Sequence, residues 1–452
     1  MATFDDGAVS LHKDLGLVAQ VLRREITATL PGRAGIAHVR YPTVGGGARQ
    51  DAQPFTTRRP SMALAHNGNL TNLAELDQGL RDRGIRLTSQ CDAEPILCVL
   101  ADEVMMRAVV RPTTEDVVES VRAVLGRVRG AYSVVAVMEV DGQETLVAFR
   151  DSHGIRPCCY GQRADGAWMA ASESVALDVM DVPLTGHVPP GHVVLMRAGE
   201  EAVVRSVAPA EPRHCIFEDI YFARPDSRME PGRVLDVRAR LGVRLAAVWK
   251  RSGRAVDVVV AVPDTSRPAA DAMARELGVR SEEGFIKNRY TGRTFIMPDQ
   301  ATREAALRLK LNPIDEVFRG RDVVLVDDSI VRGTTMRRIA GMVRRHEPKS
   351  LHVAIYSPPV RHPCFYGIDM PSADELVAGR LPVADLETRL ASQLGADSVT
   401  FLTGEDLTEV AGKGLCSACF DGRYAVSLTV EERNWILSDR RPETTRAPAP
   451  PG

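Results

Sequence analysis

The segment Val323-Val-Leu-Val-Asp327-Asp328-Ser329-Ile-Val-Arg332-Gly333-Thr334-Thr335 constrains this chain more than any other stretch. Four apolar residues in a row predict a strand buried on both faces, as in a parallel sheet. Two carboxylates then fall at its carboxyl end, where open α/β sheets bind ligands. The Gly/Thr loop that follows predicts the start of a helix, whose free N–H groups and positive dipole end suit a phosphate. Gly333 permits close backbone approach, and the Thr334 and Thr335 hydroxyls add donors. Carboxylates repel a phosphate, so Asp327 and Asp328 must face ribose hydroxyls or a hydrated metal ion. A strand ending in a polar cap needs one Asp. Two in succession before Gly-Thr-Thr exceed what capping asks.

The surroundings share that texture. Apolar residues at Leu241, Leu245 and Val248 predict a helix over 239–251. Strands are expected over 256–262, 322–326 and 351–357, and helices over 269–277 and 336–345. That alternation predicts a parallel sheet with helices on both faces. The first 209 residues read differently. Residues 13–70 alternate short strands with turns, with strands over 35–41 and 62–65 and the flexible Gly45-Gly46-Gly47 between them. A helical stretch follows over 93–127, then strand-like runs over 132–150 and 167–206. Together they predict a sheet-rich layered domain with few helices. Asn67-Gly68 predicts a tight turn closing strand 62–65, because both residues tolerate positive φ. Residues 440–452, rich in Pro, Thr and Arg, predict a disordered tail.

Composition excludes several classes. At roughly 150 residues per domain, 452 residues imply two or three domains. Lys plus Arg is 57 against 59 Asp plus Glu, a net of −2, which is unlike a nucleic-acid or membrane-surface binder. No apolar run approaches the roughly 18 residues that span a bilayer. Residues 1–6 show no basic segment leading into an apolar one, so a cytoplasmic protein is expected. Eight cysteines are too sparse for a disulfide scaffold. Cys416-Ser-Ala-Cys419 has metal-ligand spacing, but that spacing alone is equally open to chance or a redox pair.

The Asp327-to-Thr335 segment resembles the signature of type I phosphoribosyltransferases, which bind phosphoribosyl pyrophosphate (PRPP). Around it stand His38-Val-Arg40-Tyr, His66-Asn-Gly-Asn-Leu-Thr-Asn72, Tyr221-Phe-Ala-Arg-Pro-Asp-Ser227, Val262-Pro-Asp-Thr-Ser-Arg267, Lys287-Asn-Arg-Tyr-Thr-Gly-Arg-Thr-Phe295 and His362-Pro-Cys-Phe-Tyr-Gly-Ile-Asp369. With these motifs in order, the chain resembles the amidophosphoribosyltransferase family from about Gly7 to about Tyr424. The resemblance implies an α+β glutaminase domain of the N-terminal-nucleophile type, truncated at its start, over 1–209. It implies an α/β type I phosphoribosyltransferase domain with a parallel sheet over 210–405, a C-terminal segment with iron–sulfur ligands over 406–439, and the tail. Ammonia from glutamine would pass through an internal channel and displace pyrophosphate from C1 of PRPP. The product, 5-phosphoribosylamine, opens de novo purine synthesis.

Residue by residue, the resemblance implies that Asp327 and Asp328 serve the ribose and, with Ser266, a Mg²⁺ ion. Ser329, Arg332, Gly333, Thr334 and Thr335 would complete PRPP binding. Lys287, Arg289 and Arg293 would lie on a catalytic loop that closes over the pyrophosphate, stabilising leaving-group charge and excluding water. By position alone those three would read as a solvated basic loop. Arg40 would pair with the glutamine carboxylate, Asn67 and Gly68 would form the oxyanion hole, and Asp92 would hold the α-amino group. Cys215, Cys364, Cys416 and Cys419 fall where one subgroup carries a 4Fe-4S cluster, which takes four thiolates. Cys91, Cys98, Cys158 and Cys159 are expected in the core. Purine nucleotides as feedback inhibitors and a homodimer or homotetramer are also implied.

One part departs from the family pattern. Relatives expose an N-terminal Cys whose own α-amino group acts as base. Here no Cys precedes Cys91, so there is no glutaminase nucleophile. Either the start lies upstream of Met1, or the chain has lost glutaminase activity and takes free ammonia or another nucleophile. The main expectation is therefore an enzyme that aminates PRPP with ammonia but not with glutamine. A repurposed phosphoribosyltransferase joining PRPP to a nitrogenous base is the alternative. A non-catalytic PRPP sensor is a third reading, which the paired carboxylates and basic loop disfavour.

Overall fold

The structure is a computed structural model and describes residues 1–40, 48–108, 111–288, 311–370 and 372–439. The chain forms two compact units. The first holds Met1–Cys215, Cys364–Ser372 and the described part of Tyr424–Gly452. The second holds Ile216–Pro363 and Ala373–Arg423. The expected tail over 440–452 lies outside the described residues, as does Gly45-Gly46-Gly47.

Strands β1 (Ala2–Asp5), β2 (Ala8–Leu11) and β3 (Ala34–Ile36) make a small sheet in the first unit, in the order β2-β1-β3. Two one-turn helices, α1 (Val18–Val21) and α2 (Arg24–Thr27), stand between β2 and β3, where strands and turns were expected. A larger antiparallel sheet contains β4 (Phe55–Arg58), β5 (Ser61–Leu70), β6 (Gly130–Val140) and β7 (Gln143–Arg150). After the three-stranded set β8 (Cys159–Gln162), β9 (Trp168–Ala171) and β10 (Leu184–His187), strands β11 (His192–Met196) and β12 (Val203–Ser206) complete the larger sheet in the order β12-β11-β7-β6-β5-β4.

Side chains alternate across a strand with period two, and that alternation builds the layers. Met62 and Leu64 of β5 join Val134, Ala136 and Met138 of β6 in one core, against Leu97, Leu100, Val117 and Val121 of two helices. Ala63, Ala65 and Val137 point the other way, onto Ala2, Phe4 and Ile36 of the small sheet. The helical stretch 93–127 is two helices, Ala93–Arg107 and Thr114–Arg127. The second restarts on a capping box, in which Thr113 Oγ1 accepts from the Asp116 N–H and Asp116 Oδ2 accepts from the Thr113 N–H.

The expected turn at Asn67-Gly68 is absent. Strand β5 runs on to Leu70, with Gly68 opposite Tyr132. Gly68 has φ +151°, and a Cβ there would stand 1.9 Å from the Ala131 carbonyl oxygen. Glycine serves a close approach between strands here, and long-range pairing overrides the local turn preference.

In the second unit, β13 (Val258–Ala261), β14 (Arg280–Ser281), β15 (Asp322–Asp327), β16 (Ser350–Ile355) and β17 (Ser398–Phe401) form a parallel sheet in the order β14-β13-β15-β16-β17. A helix over Thr334–Arg344 sets Met336, Ile339, Ala340 and Val343 on the sheet core, the spacing of one helical face. Helices Val234–Ser252 and Arg267–Leu277 pack on each other, the latter also on β13. The expected alternation of strand and helix is what the unit shows. Among the described residues no helix is long and apolar enough to cross a membrane.

Candidate active site

Sheet register assembles the paired carboxylates with a second turn. Ala261 stands opposite Val326, and Asp327 opposite Ile355, so β13, β15 and β16 end nearly level. The turn after β13 therefore meets the end of β15. Thr265 Oγ1 donates to Asp328 Oδ2 at 2.5 Å, and Ser266 Oγ to Asp327 Oδ1 at 3.1 Å. Ser329 Oγ donates to Asp328 Oδ1 at 2.7 Å, and the Asp328 N–H to Asp327 Oδ1 at 2.9 Å.

The electrostatics of this cluster disfavour two bare negative charges. Burial, then the neighbouring Asp328 charge, pushes the Asp327 carboxyl well above the usual carboxylate range. Burial also raises Asp328, opposed by the Thr265 and Ser329 hydroxyls and by the guanidinium of Arg238. Two adjacent carboxylates in a desolvated place cannot both ionise cheaply without a counter-charge. Among the described residues the pair gathers no third His, Cys, Asp or Glu ligand. A hydrated Mg²⁺ would suit it, since that ion keeps several waters and takes few protein carboxylates.

Gly333 caps the Thr334–Arg344 helix with φ +77°, a left-handed conformation. A Cβ there would meet nothing closer than 3.6 Å, so the backbone conformation asks for glycine, not crowding. Thr334 and Thr335 are exposed at the first turn. Arg332 turns outward and pairs with Glu375, Nε to Oε1 3.1 Å. Lys287 sits on a short strand, Phe285–Lys287, paired with Leu311–Pro313, and its ammonium meets Asp264 in the turn that carries Thr265 and Ser266. Arg289 and Arg293 lie outside the described residues.

The first unit holds a second constellation. A cavity of about 190 Å³ is lined by Lys13, His38, Arg40 and Gln53 among others. Behind it, His66 Nε2 stands 3.0 Å from Asp92 Oδ1, and the Leu70 N–H donates to Asp92 Oδ2 at 3.2 Å. Burial alone would raise the Asp92 carboxyl, but His66, the Leu70 N–H and Arg40 together hold it below the usual range. Gln53 fixes His66 from the other side, accepting from its N–H at 2.7 Å and donating to its carbonyl at 3.2 Å. The His38 ring is pushed down to about 4 by burial and by the charges of His66 and Arg40. Asn67 Oδ1 accepts from Arg156 Nε at 3.2 Å and Nη2 at 3.0 Å. Arg40 thus lines the cavity, whereas Asp92 is reached through His66, and Asn67 is held by Arg156.

Thr265 and His66 lie inside quoted motifs, yet their contacts were not foreseen. Gln53, Arg156 and Arg238 carry no sequence signal, because their partners stand 13 to 89 residues away, beyond the reach of local periodicity. Cys91, Cys158 and Cys159 are buried and Cys98 is half-buried, as expected of core thiols. Cys215, Cys364 and Cys419 are buried, Cys416 is half-buried, and none of the four is in a disulfide. Cys364 Sγ accepts the Tyr366 N–H at 3.3 Å.

Comparison with known proteins finds a family for each of two stretches of the chain. Residues 40–179 match the model of a glutamine amidotransferase domain, and residues 237–358 that of a phosphoribosyl transferase domain. The chain is 41% identical to an amidophosphoribosyltransferase of Pseudomonas aeruginosa, over 99% of this chain and 91% of that protein. It is 37% identical to one of Methanocaldococcus jannaschii, over 96% and 92%. Among solved structures it resembles the glutamine PRPP amidotransferase of B. subtilis complexed with ADP and GMP, at TM-score 0.83 and 35% identity, covering 95% of this chain and 91% of that one. A structure described as the allosteric regulatory enzyme of purine biosynthesis matches at TM-score 0.85 and 34% identity, covering 98% and 93%. Such identity over nearly the whole length places the chain in the amidophosphoribosyltransferase family: it is an enzyme, a pentosyltransferase.

Proposed function

We propose that this chain transfers an amino group to PRPP, giving 5-phosphoribosylamine and pyrophosphate, as the first step of de novo purine synthesis. The observation that carries the reading is the Asp327–Asp328 pair, cradled by Thr265, Ser266 and Ser329 at the carboxyl end of a parallel sheet. The two carboxylates would orient the ribose hydroxyls and hold Mg²⁺. When bound, that ion neutralises pyrophosphate charge. The Gly333–Thr335 helix start receives the 5′-phosphate. Lys287, with Arg289 and Arg293, stabilises the departing pyrophosphate. Ammonia's lone pair forms the new C1–N bond, the C1–O bond to pyrophosphate breaks, and the nitrogen then loses a proton to water. The transition state carries oxocarbenium character, so positioning and charge stabilisation supply most of the catalysis.

We propose free ammonia as a nitrogen donor at the PRPP site. Cys91 is a poor nucleophile, its thiol pushed up to about 12 by burial and by Asp92. Arg40, Asn67, Gly68 and Asp92 are proposed as the glutamine-binding set. Purine nucleotides are proposed as feedback ligands, as the ADP and GMP in the B. subtilis relative suggest. A cytoplasmic homo-oligomer is the proposed setting.

A 4Fe-4S cluster on Cys215, Cys364, Cys416 and Cys419 is proposed as a structural group. Four cysteine sulfurs are the donor set that such a cluster takes. Iron and sulfide analysis of anaerobically purified protein tests it, with loss in Cys364→Ser expected.

The deciding experiment supplies PRPP, Mg²⁺ and either ammonia or glutamine, and measures pyrophosphate and glutamate. Pyrophosphate release with ammonia alone is expected. Glutamine consumed in step with pyrophosphate would overturn the donor assignment. No release with either would overturn the function.

A further inference from the structure

We infer that Tyr356 is a positioning residue for the PRPP site, acting on Asp328 through Thr265. The inference rests on the reading that the Asp327–Asp328 pair binds PRPP, and adds a residue that no motif marks. Tyr356 follows β16 and is fully buried. Its backbone N–H donates to the Asp327 carbonyl at 3.2 Å, which ties it to the end of β15. Its hydroxyl donates to the Ile220 carbonyl at 3.0 Å and stands 3.4 Å from the Thr265 carbonyl. Thr265 in turn donates its own hydroxyl to Asp328 Oδ2.

The phenol thus stands between two backbone segments. One is the turn that hydrogen-bonds both carboxylates. The other is the helical turn Glu218–Phe222. That second segment is independently anchored. Arg238, 1% exposed, donates from Nε to the Asp219 carbonyl at 2.7 Å and from Nη2 to the Ala223 carbonyl at 2.8 Å. Carbonyls 219, 220 and 223 are therefore all held by buried donors. A buried hydroxyl between two fixed acceptors sets a separation, and loss of one such bond leaves carbonyls unsatisfied. The Thr265 turn bonds a carboxylate that must take one rotamer to meet a ribose hydroxyl or a hydrated cation. Displacement of a fraction of an ångström there weakens binding in ground and transition states alike.

Tyr356→Phe removes the hydroxyl and keeps the ring. It is expected to raise the KM for PRPP about 5-fold or more while kcat stays within about 2-fold, the pattern of lost uniform binding. Thr265→Val should do the same, and Thr265→Ser should recover most of the loss. The loss in the double variant Tyr356→Phe, Thr265→Val should fall short of the sum of the two single losses, because the phenol acts through the turn that carries Thr265. An unchanged KM in Tyr356→Phe, or effects that add in the double variant, would overturn the inference. PRPP binding by calorimetry gives a readout independent of turnover. A wild-type chain that binds PRPP without aminating it would overturn the proposed function, while the affinities of the same variants would still decide the role of Tyr356.

Discussion

Ser266 gives its hydroxyl to Asp327 across 3.1 Å, from the turn after one strand to the last residue of its neighbour. These residues are 61 positions apart, and only the parallel register of Val258–Ala261 with Asp322–Asp327 brings them together. The carboxylate cluster is thus a product of sheet pairing as much as of its own motif.

Asp327→Asn keeps the shape of the pair and removes one charge. Amination of PRPP should fall by about 100-fold or more, the scale of losing a group that acts in a pre-organised electrostatic site. Steady-state rates with ammonia check this, with circular dichroism to show that the fold survives.

The same pair predicts how cation demand varies with pH. Burial and mutual repulsion raise Asp327 and Asp328, so a proton competes with the cation as pH falls. The Mg²⁺ concentration giving half-maximal rate should increase as pH falls, and binding should release protons. Mg²⁺ titrations of activity in buffers of different ionisation enthalpy measure both.

Asp92 should stabilise the first unit through His66 and the Leu70 N–H. Its folded value lies below the ordinary one, so the contribution is present above about pH 4 and is lost as pH falls through the lowered value. Asp92→Asn should cost about 2 kcal/mol at pH 7, the range for hydrogen bonds to a charged group. The cost should shrink in acid. Denaturant midpoints across pH 3–7 test the sign.

His38 works in the opposite pH region. Its ring, ordinarily near 6.5, is pushed down to about 4, so the folded chain keeps it neutral where the unfolded chain protonates it. Stability should fall as pH drops from about 6.5 through 4. In His38→Gln that decline should flatten. Unfolding curves at pH 7 and pH 5 compare the two.

Gly68→Ala should be among the most damaging single substitutions. The added methyl would press on the Ala131 carbonyl at 1.9 Å in a backbone with φ +151°. A loss of about 3 kcal/mol or more is expected, read as a drop in thermal midpoint.

Much of the second unit was legible before its structure. The run of three Val and a Leu, the carboxylates and the glycine carry their own local signals, and strand, turn and helix follow in that order. The first unit was legible in its layering but not at Asn67-Gly68, where a turn signature lies inside a strand. A local φ preference is worth about 1 kcal/mol, and nine cross-strand pairs between β5 and β6 outweigh it.

Residue types and their order along the chain were enough for the class of each unit, the phosphate-binding loop and the paired carboxylates, because periodicity and turn chemistry act between near neighbours. Beyond the adjacent Ser329 and the resemblance-implied Ser266, which groups hold those carboxylates was decided by the fold. Thr265, Arg238 and Tyr356 reach the Asp pair or its supporting turn, and His66 reaches Asp92, only through strand register and helix packing. Hydrogen bonds and burial depend on distance in space, and nothing in the spacing of these residues along the chain encodes that distance.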